Sequence, residues 1–121
     1  MKENNIKDKS FAFAVRVVRL YQHVTEQKRE YILSKQILRS GTSVGAMIRE
    51  AEHGQSKADF IHKFAIAQKE INETIYWLEL LHETGYIDEN QFESLNNDAV
   101  ELIKIITVII KNTKKNLTTN N

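Results

Sequence analysis

Apolar side chains recur every three or four positions in four stretches of this chain, the spacing that gathers them on one side of an α-helix. The pattern predicts an all-α, antiparallel up-down-up-down four-helix bundle, with helices over about 10–26, 33–53, 57–84 and 89–112. The first, with Asp8 or Ser10 as its cap, carries two apolar stripes. Phe11, Val15 and Val18 form one; Phe13, Val17, Leu20 and Val24 form another, roughly 200° round the helix. A lone protomer buries only one such stripe well. Either neighbouring helices embrace this helix on both sides, or the second stripe faces another subunit.

The second helix has Ile37, Val44, Ile48 and Ala51 at core spacing and Gly54 as a left-handed stop. Gly41 and Gly45 lie inside it, each costing about 1 kcal/mol relative to alanine. Four positions apart, they share a face and allow another helix to approach closely, within the chain or across an interface; a local bend is the plainer alternative. Phe13, Val17, Leu20, Val24, Gly41 and Gly45 are therefore the candidate oligomer interface. Ser56 with Asp59 opens the third helix, whose stripe runs Phe60, Phe64, Ala67, Ile71, Ile75 or Thr74, Leu78 and Leu81 before Gly85. Asp88 with Gln91 opens the fourth, where Phe92, Leu95, Ala99, Leu102, Ile106 and Ile109 make a heptad seam. Short connections make neighbours antiparallel. Residues 1–9 and 112–121 lack the pattern and are expected as a flexible N-terminus and a disordered tail flanking one bundle domain over 10–111.

Composition supports helices, since 121 residues contain no proline and four glycines. The absence of cysteine removes disulfides, thiolate metal sites and cysteine nucleophiles. A polar start without signal-peptide character and an apolar run at 102–110 broken by Lys104 and Thr107 point to a cytoplasmic protein without a membrane partner. Seventeen basic and sixteen acidic side chains leave a net charge of +1, without the overall charge of a dedicated nucleic-acid binder. Local patches have to come from helix arrangement. Arg16, Arg19, Lys28, Arg29, Arg39 and Arg49, with Lys35, enrich the first two helices in positive charge and are the candidate nucleic-acid or partner contacts. Solvated surface charge is the plainer reading. Tyr21, Tyr31, Tyr76 and Tyr86 could serve as stacking groups or cover the core edge.

Reactive constellations find little support. Glu50–His53 and Glu79–His82 have the spacing of di-iron bundle ligands, but antiparallel helices place them roughly 30 Å apart. No nucleophile elbow or phosphate-cradling glycine loop occurs, so neither catalytic residues, a metal nor a cofactor is expected. The same antiparallel register sets Arg39 opposite Glu70, with Glu73 on the same face of the third helix beside Thr74 and Trp77. Arg39, Glu70 and Glu73 form a candidate structural polar network.

Several segments in order, Arg39-Ser40-Gly41-Thr42-Ser43-Val44-Gly45-Ala46, Arg49-Glu50-Ala51, Gln55-Ser56-Lys57-Ala58-Asp59-Phe60, Lys69-Glu70-Ile71-Asn72-Glu73-Thr74 and Tyr76-Trp77-Leu78-Glu79-Leu80-Leu81, resemble the bacterial 23S rRNA intervening-sequence proteins. The resemblance covers about residues 10–110. It implies a four-helix bundle assembled with itself as a ring-like homopentamer. A related branch, the accessory protein of diversity-generating retroelements, implies contact with RNA or DNA, or with a nucleic-acid-processing protein, through a basic surface. This chain departs from that branch in its near-zero net charge, and from the family in carrying Met47 where Asn is frequent. Together these features favour a non-enzymatic oligomeric bundle that binds RNA or a nucleic-acid-processing partner. A protein–protein scaffold with no nucleic-acid contact is the alternative. Whether Arg16, Arg19, Lys28 and Arg29 cluster or are paired off by acidic groups separates the two.

Overall fold

The computed structural model describes residues 2–119, with side chains from residue 5 to residue 117. Four helices account for most of it: α1 (Lys2–Lys28), α2 (Leu33–Glu52), α3 (Lys57–Glu83) and α4 (Glu89–Thr119). Each packs on the next in sequence and α4 returns to α1, while α1 and α3, and α2 and α4, lie diagonally opposite with no close backbone approach among the described residues. The result is an up-down-up-down bundle. Its tightest joint is α2 on α3 and its slightest is α1 on α4.

The helices run further than the hydrophobic pattern predicts. α1 opens at Lys2 rather than near Ser10, and Ile6 is buried in the core. Ser10 is no cap; it lies within the helix, 1% exposed, its hydroxyl donating to the Lys7 carbonyl at 3.0 Å. Ile6, Ser10, Phe13, Val17, Leu20 and Val24 follow spacings of 4, 3, 4, 3, 4, the same heptad seam that α4 carries. α4 likewise continues to Thr119 instead of ending near 112. Met1, Asn120 and Asn121 of the expected flexible ends lie outside the described residues.

That seam corrects the assignment of the two stripes on α1. Phe13, Val17, Leu20 and Val24 are all buried inside the protomer, and Gly41 is buried beneath them. A Cβ built on Gly41 would lie 2.8 Å from both Cγ atoms of Val17, so the glycine is what lets α1 seat itself on α2. Gly45 faces Ser10 at ordinary contact distance, 3.4 Å from its carbonyl oxygen to such a Cβ. The six residues expected at an oligomer interface thus lie within one chain: Val17 and Gly41 join α1 to α2, and Phe13, Leu20 and Val24 face the core. The outward stripe is the other one, with Phe11 55% exposed and Val15 and Val18 partly so.

The connections show how each helix starts and stops. Between α1 and α2, Arg29 takes a left-handed backbone (φ 55°), which folds Glu30 back towards the helix that follows. The Glu30 carboxylate accepts from the amides of Ile32 (3.0 Å), Leu33 (2.8 Å) and Ser34 (2.8 Å), amides that have no partner within α2. Burial opposes the charge on Glu30, but these amide hydrogen bonds outweigh it and hold the carboxyl below its ordinary value. Gly54 does not adopt the expected left-handed stop; α2 closes instead through the amides of His53 and Gly54, which donate to Glu50 and Ala51. The left-handed glycine is Gly85 (φ 85°), at the end of α3, where a side chain would be strained. At the start of α3, Ser56 Oγ accepts from the Asp59 amide at 3.1 Å. Asp88 and Gln91 form a reciprocal capping box at α4, at 2.8 and 2.9 Å.

Two substitutions on one face should therefore behave oppositely. G41A drives a methyl into the stiff β-branched Val17 and should cost about 1–3 kcal/mol. G45A gains helix propensity in a site with room and should be neutral or stabilising by up to about 1 kcal/mol; denaturant unfolding of both variants checks the difference. For the cap, a folded-state pKa lowered below the unfolded one gives stability that is complete above the unfolded value and is lost as pH falls through the folded one. Glu30→Gln should accordingly destabilise by about 1 kcal/mol at neutral pH, since it removes a charged acceptor. The gap between the wild type and this variant should close as the pH drops below 4.5, the ordinary value of this carboxyl.

Candidate functional site

The candidate polar network lies on the α2–α3 joint. Arg39 donates to Glu70 Oε2 at 3.0 Å and to Glu73 Oε2, which also accepts from the Trp77 indole at 3.0 Å. The Trp77 indole, then the Arg39 guanidinium, hold the Glu73 carboxyl below its usual range, and the bond to Glu73 raises Arg39. Glu70 is largely buried, Glu73 partly so and Arg39 half exposed, so the network is a clamp at the bundle's edge with its guanidinium open to solvent. Beneath it, the hydroxyls of Ser40 and Thr74 sit 2.8 Å apart and fully buried, and Thr74 also reaches the Glu70 carbonyl at 2.8 Å. Small hydroxyl side chains let α2 and α3 approach while satisfying their own polar atoms. Thr74, not the partly covered Ile75, occupies the core position.

The six basic candidates do not form one patch. Arg39 belongs to the network above. Arg16 crosses from α1 to α4, where it meets Asp98 at 2.6 Å and the Ser94 hydroxyl at 2.7 Å. Arg49 lies over the exposed Phe11 ring, 5.2 Å from its centre, joining α2 to the outer face of α1. Arg19, Lys28 and Arg29 make no ion pair among the described residues. Arg19 and Lys28 line cavities at the α1–α4 seam, and Arg29 occupies the α1–α2 turn. Beside Arg29, Tyr31 and Ile32 are 58% and 76% exposed.

Position on a helix could not reveal Asp98 and Ser94 as partners of Arg16, because they come from the far end of the chain. Glu30 was legible in part: a lone carboxylate just before a helix that lacks a Ser, Thr, Asp or Asn cap. His82 stacks on Phe92 at 4.7 Å and lies 2.9 Å from Glu89, while Glu50 pairs with Lys63 at 2.8 Å. Among the described residues, no three His, Asp or Glu side chains converge as a metal site would require. None of the described helices is long and apolar enough to cross a membrane.

Such an arrangement defines an all-α four-helix-bundle protein whose chemistry-bearing side chains tie helices together. The chain belongs to the 23S rRNA-intervening sequence protein family, whose model matches residues 2–108. Among solved structures it is similar to the crystal structure of a protein of unknown function from the S23 ribosomal protein family of Bacteroides thetaiotaomicron VPI-5482. The two are 59% identical, the match covers 92% of this chain and 99% of that one, and the TM-score is 0.91. A comparison with curated proteins gives no significant match. Met47 packs against the core, partly buried.

Proposed function

We propose that this protein is a non-enzymatic, self-assembling scaffold of the bacterial cytoplasm, whose subunits meet through the outward stripe of α1 in a ring of five. The observation that supports this is the exposed apolar surface left after the bundle has closed. Phe11, Ala14, Val15 and Val18 line a shallow groove of about 340 Å³, with Arg19 and Gln22 at its edge. Arg49 on Phe11 extends that surface on to α2. A helix face of this kind is a characteristic seat for a neighbouring helix. The carboxyls with lowered pKa, Glu30 and Glu73, hold structural hydrogen bonds, in keeping with a scaffold. Light scattering at micromolar concentration should give about five times the chain mass of 14.1 kDa. Val15→Glu should lower that mass while the helical circular dichroism stays unchanged; a wild-type protein that is monomeric would defeat the proposal.

Contact with RNA is the second reading, and the charges without ion pairs on Arg19, Lys28 and Arg29 favour it. Pairing of Arg16 with Asp98, and of Arg39 with Glu70 and Glu73, speaks for the scaffold alone. A gel mobility assay with structured RNA should show binding at about 50 mM salt that weakens towards 200 mM. No retention at the lower salt would leave the scaffold as the whole function, with another protein rather than RNA or DNA as its partner.

A further inference from the structure

The α1–α4 seam is the least closed joint of the bundle, and two cavities open along it. One, of about 350 Å³, has Leu20 and Leu95 as its floor and Arg16, Arg19, His23 and Gln91 as its walls. The other, of about 640 Å³, continues from His23 and Gln91 past Gln27 and Lys28 to Tyr86. Sharing two residues, they form one groove. From Arg16 to Lys28 it follows α1 for roughly 18 Å.

Donors dominate its walls. Arg19 and Lys28 make no ion pair among the described residues, and Gln91 spends its side-chain oxygen on the Asp88 amide, which leaves its NH₂ group to donate. Among the described residues the one acid lining the groove is Asp88, whose carboxylate accepts the Gln91 amide as a helix cap, while Arg16 is paired with Asp98. Glu89, next along α4, is drawn to His82 on α3. The amino end of α4 adds its partial positive charge at the junction of the two cavities. An elongated anion fits this chemistry. Tyr86 and the leucine floor add apolar surface for flat rings, which a polyphosphate or an acidic peptide would not use. Cavities of about 350 and 640 Å³ are too small for a duplex but take part of one strand with splayed bases.

We propose that the α1–α4 groove binds a short stretch of single-stranded nucleic acid, with its phosphates along Arg19, His23 and Lys28 and a base on Tyr86. This deepens the RNA reading and rests on it. The sharpest test is Gln91→Glu, because glutamate keeps the capping box with Asp88 while placing a negative charge where the cavities meet. Fluorescence anisotropy with a labelled single-stranded RNA 12-mer at about 50 mM salt is the measurement. Affinity should fall about five- to tenfold in Gln91→Glu and about tenfold or more in an R19A/K28A double variant, with a shallower salt dependence in the latter. Arg19 also borders the outer stripe of α1, so the mass of each variant is measured alongside. A K57A/K69A variant on the exposed side of α3 should bind like the wild type. Equal losses in that control and in the groove variants, or none in Gln91→Glu, would overturn the groove but leave the RNA reading standing. Duplex RNA or polyglutamate competing as well as the single strand would overturn the assignment of the ligand. A wild type that binds no strand at all would remove both the groove and the RNA reading.

Discussion

How α1 is rotated about its own axis decides what this molecule shows to its surroundings, and one close contact sets that rotation. Val17 sits against the bare backbone of Gly41, where even a methyl group would come within 2.8 Å of it. With that seat fixed, Phe13, Leu20 and Val24 turn into the core together with Val17, and Phe11, Val15 and Val18 turn outward. The cost of Gly41 to α2 as an isolated helix is offset by the depth to which α1 docks on it there.

Much of this was legible in the sequence, and the parts that were not share a cause. Heptad spacing located α4, and the antiparallel register placed Arg39 opposite Glu70, because both follow from periodicity within one or two adjacent helices. Periodicity could not say which of two equally apolar stripes on α1 faces inward. The extension of that heptad to Ile6 was available as a signal, since Ile6 stands seven residues before Phe13. Its polar neighbours, Asn4, Asn5, Lys7 and Asp8, obscured it. Arg29 was read as a charge and proved also to be a left-handed turn residue, a role usually taken by Gly, Asn or Asp. Gly54, the more conventional choice, has no such conformation.

Charge on this surface divides by function. Arg16 and Arg39 hold helix pairs together with carboxylates and hydroxyls, Lys9 does the same with Glu101 at 3.1 Å, and Lys7 with Glu52 at 3.2 Å. The contacts of Arg16, Lys9 and Lys7 sit at the two joints α1 makes and that of Arg39 at the α2–α3 joint, and exposed pairs of this kind contribute little each. What they contribute is alignment, because apolar stripes can slide where paired charges cannot. Arg19, Lys28 and Arg29 remain outside this arrangement, Lys28 and Arg29 at the end of α1 and Arg19 further back along it.

An even number of antiparallel rods returns the chain to the end from which it set out. The start of α1 and the finish of α4 therefore project beside the α2–α3 turn, and the Lys7–Glu52 pair marks that neighbourhood. Lys28, Tyr31 and Tyr86 occupy the opposite end, where both remaining turns lie. Fluorophores, affinity tags or a fused second protein can be attached at either terminus without crowding that far end. Surface immobilisation through a terminus would present it, already oriented, to solution.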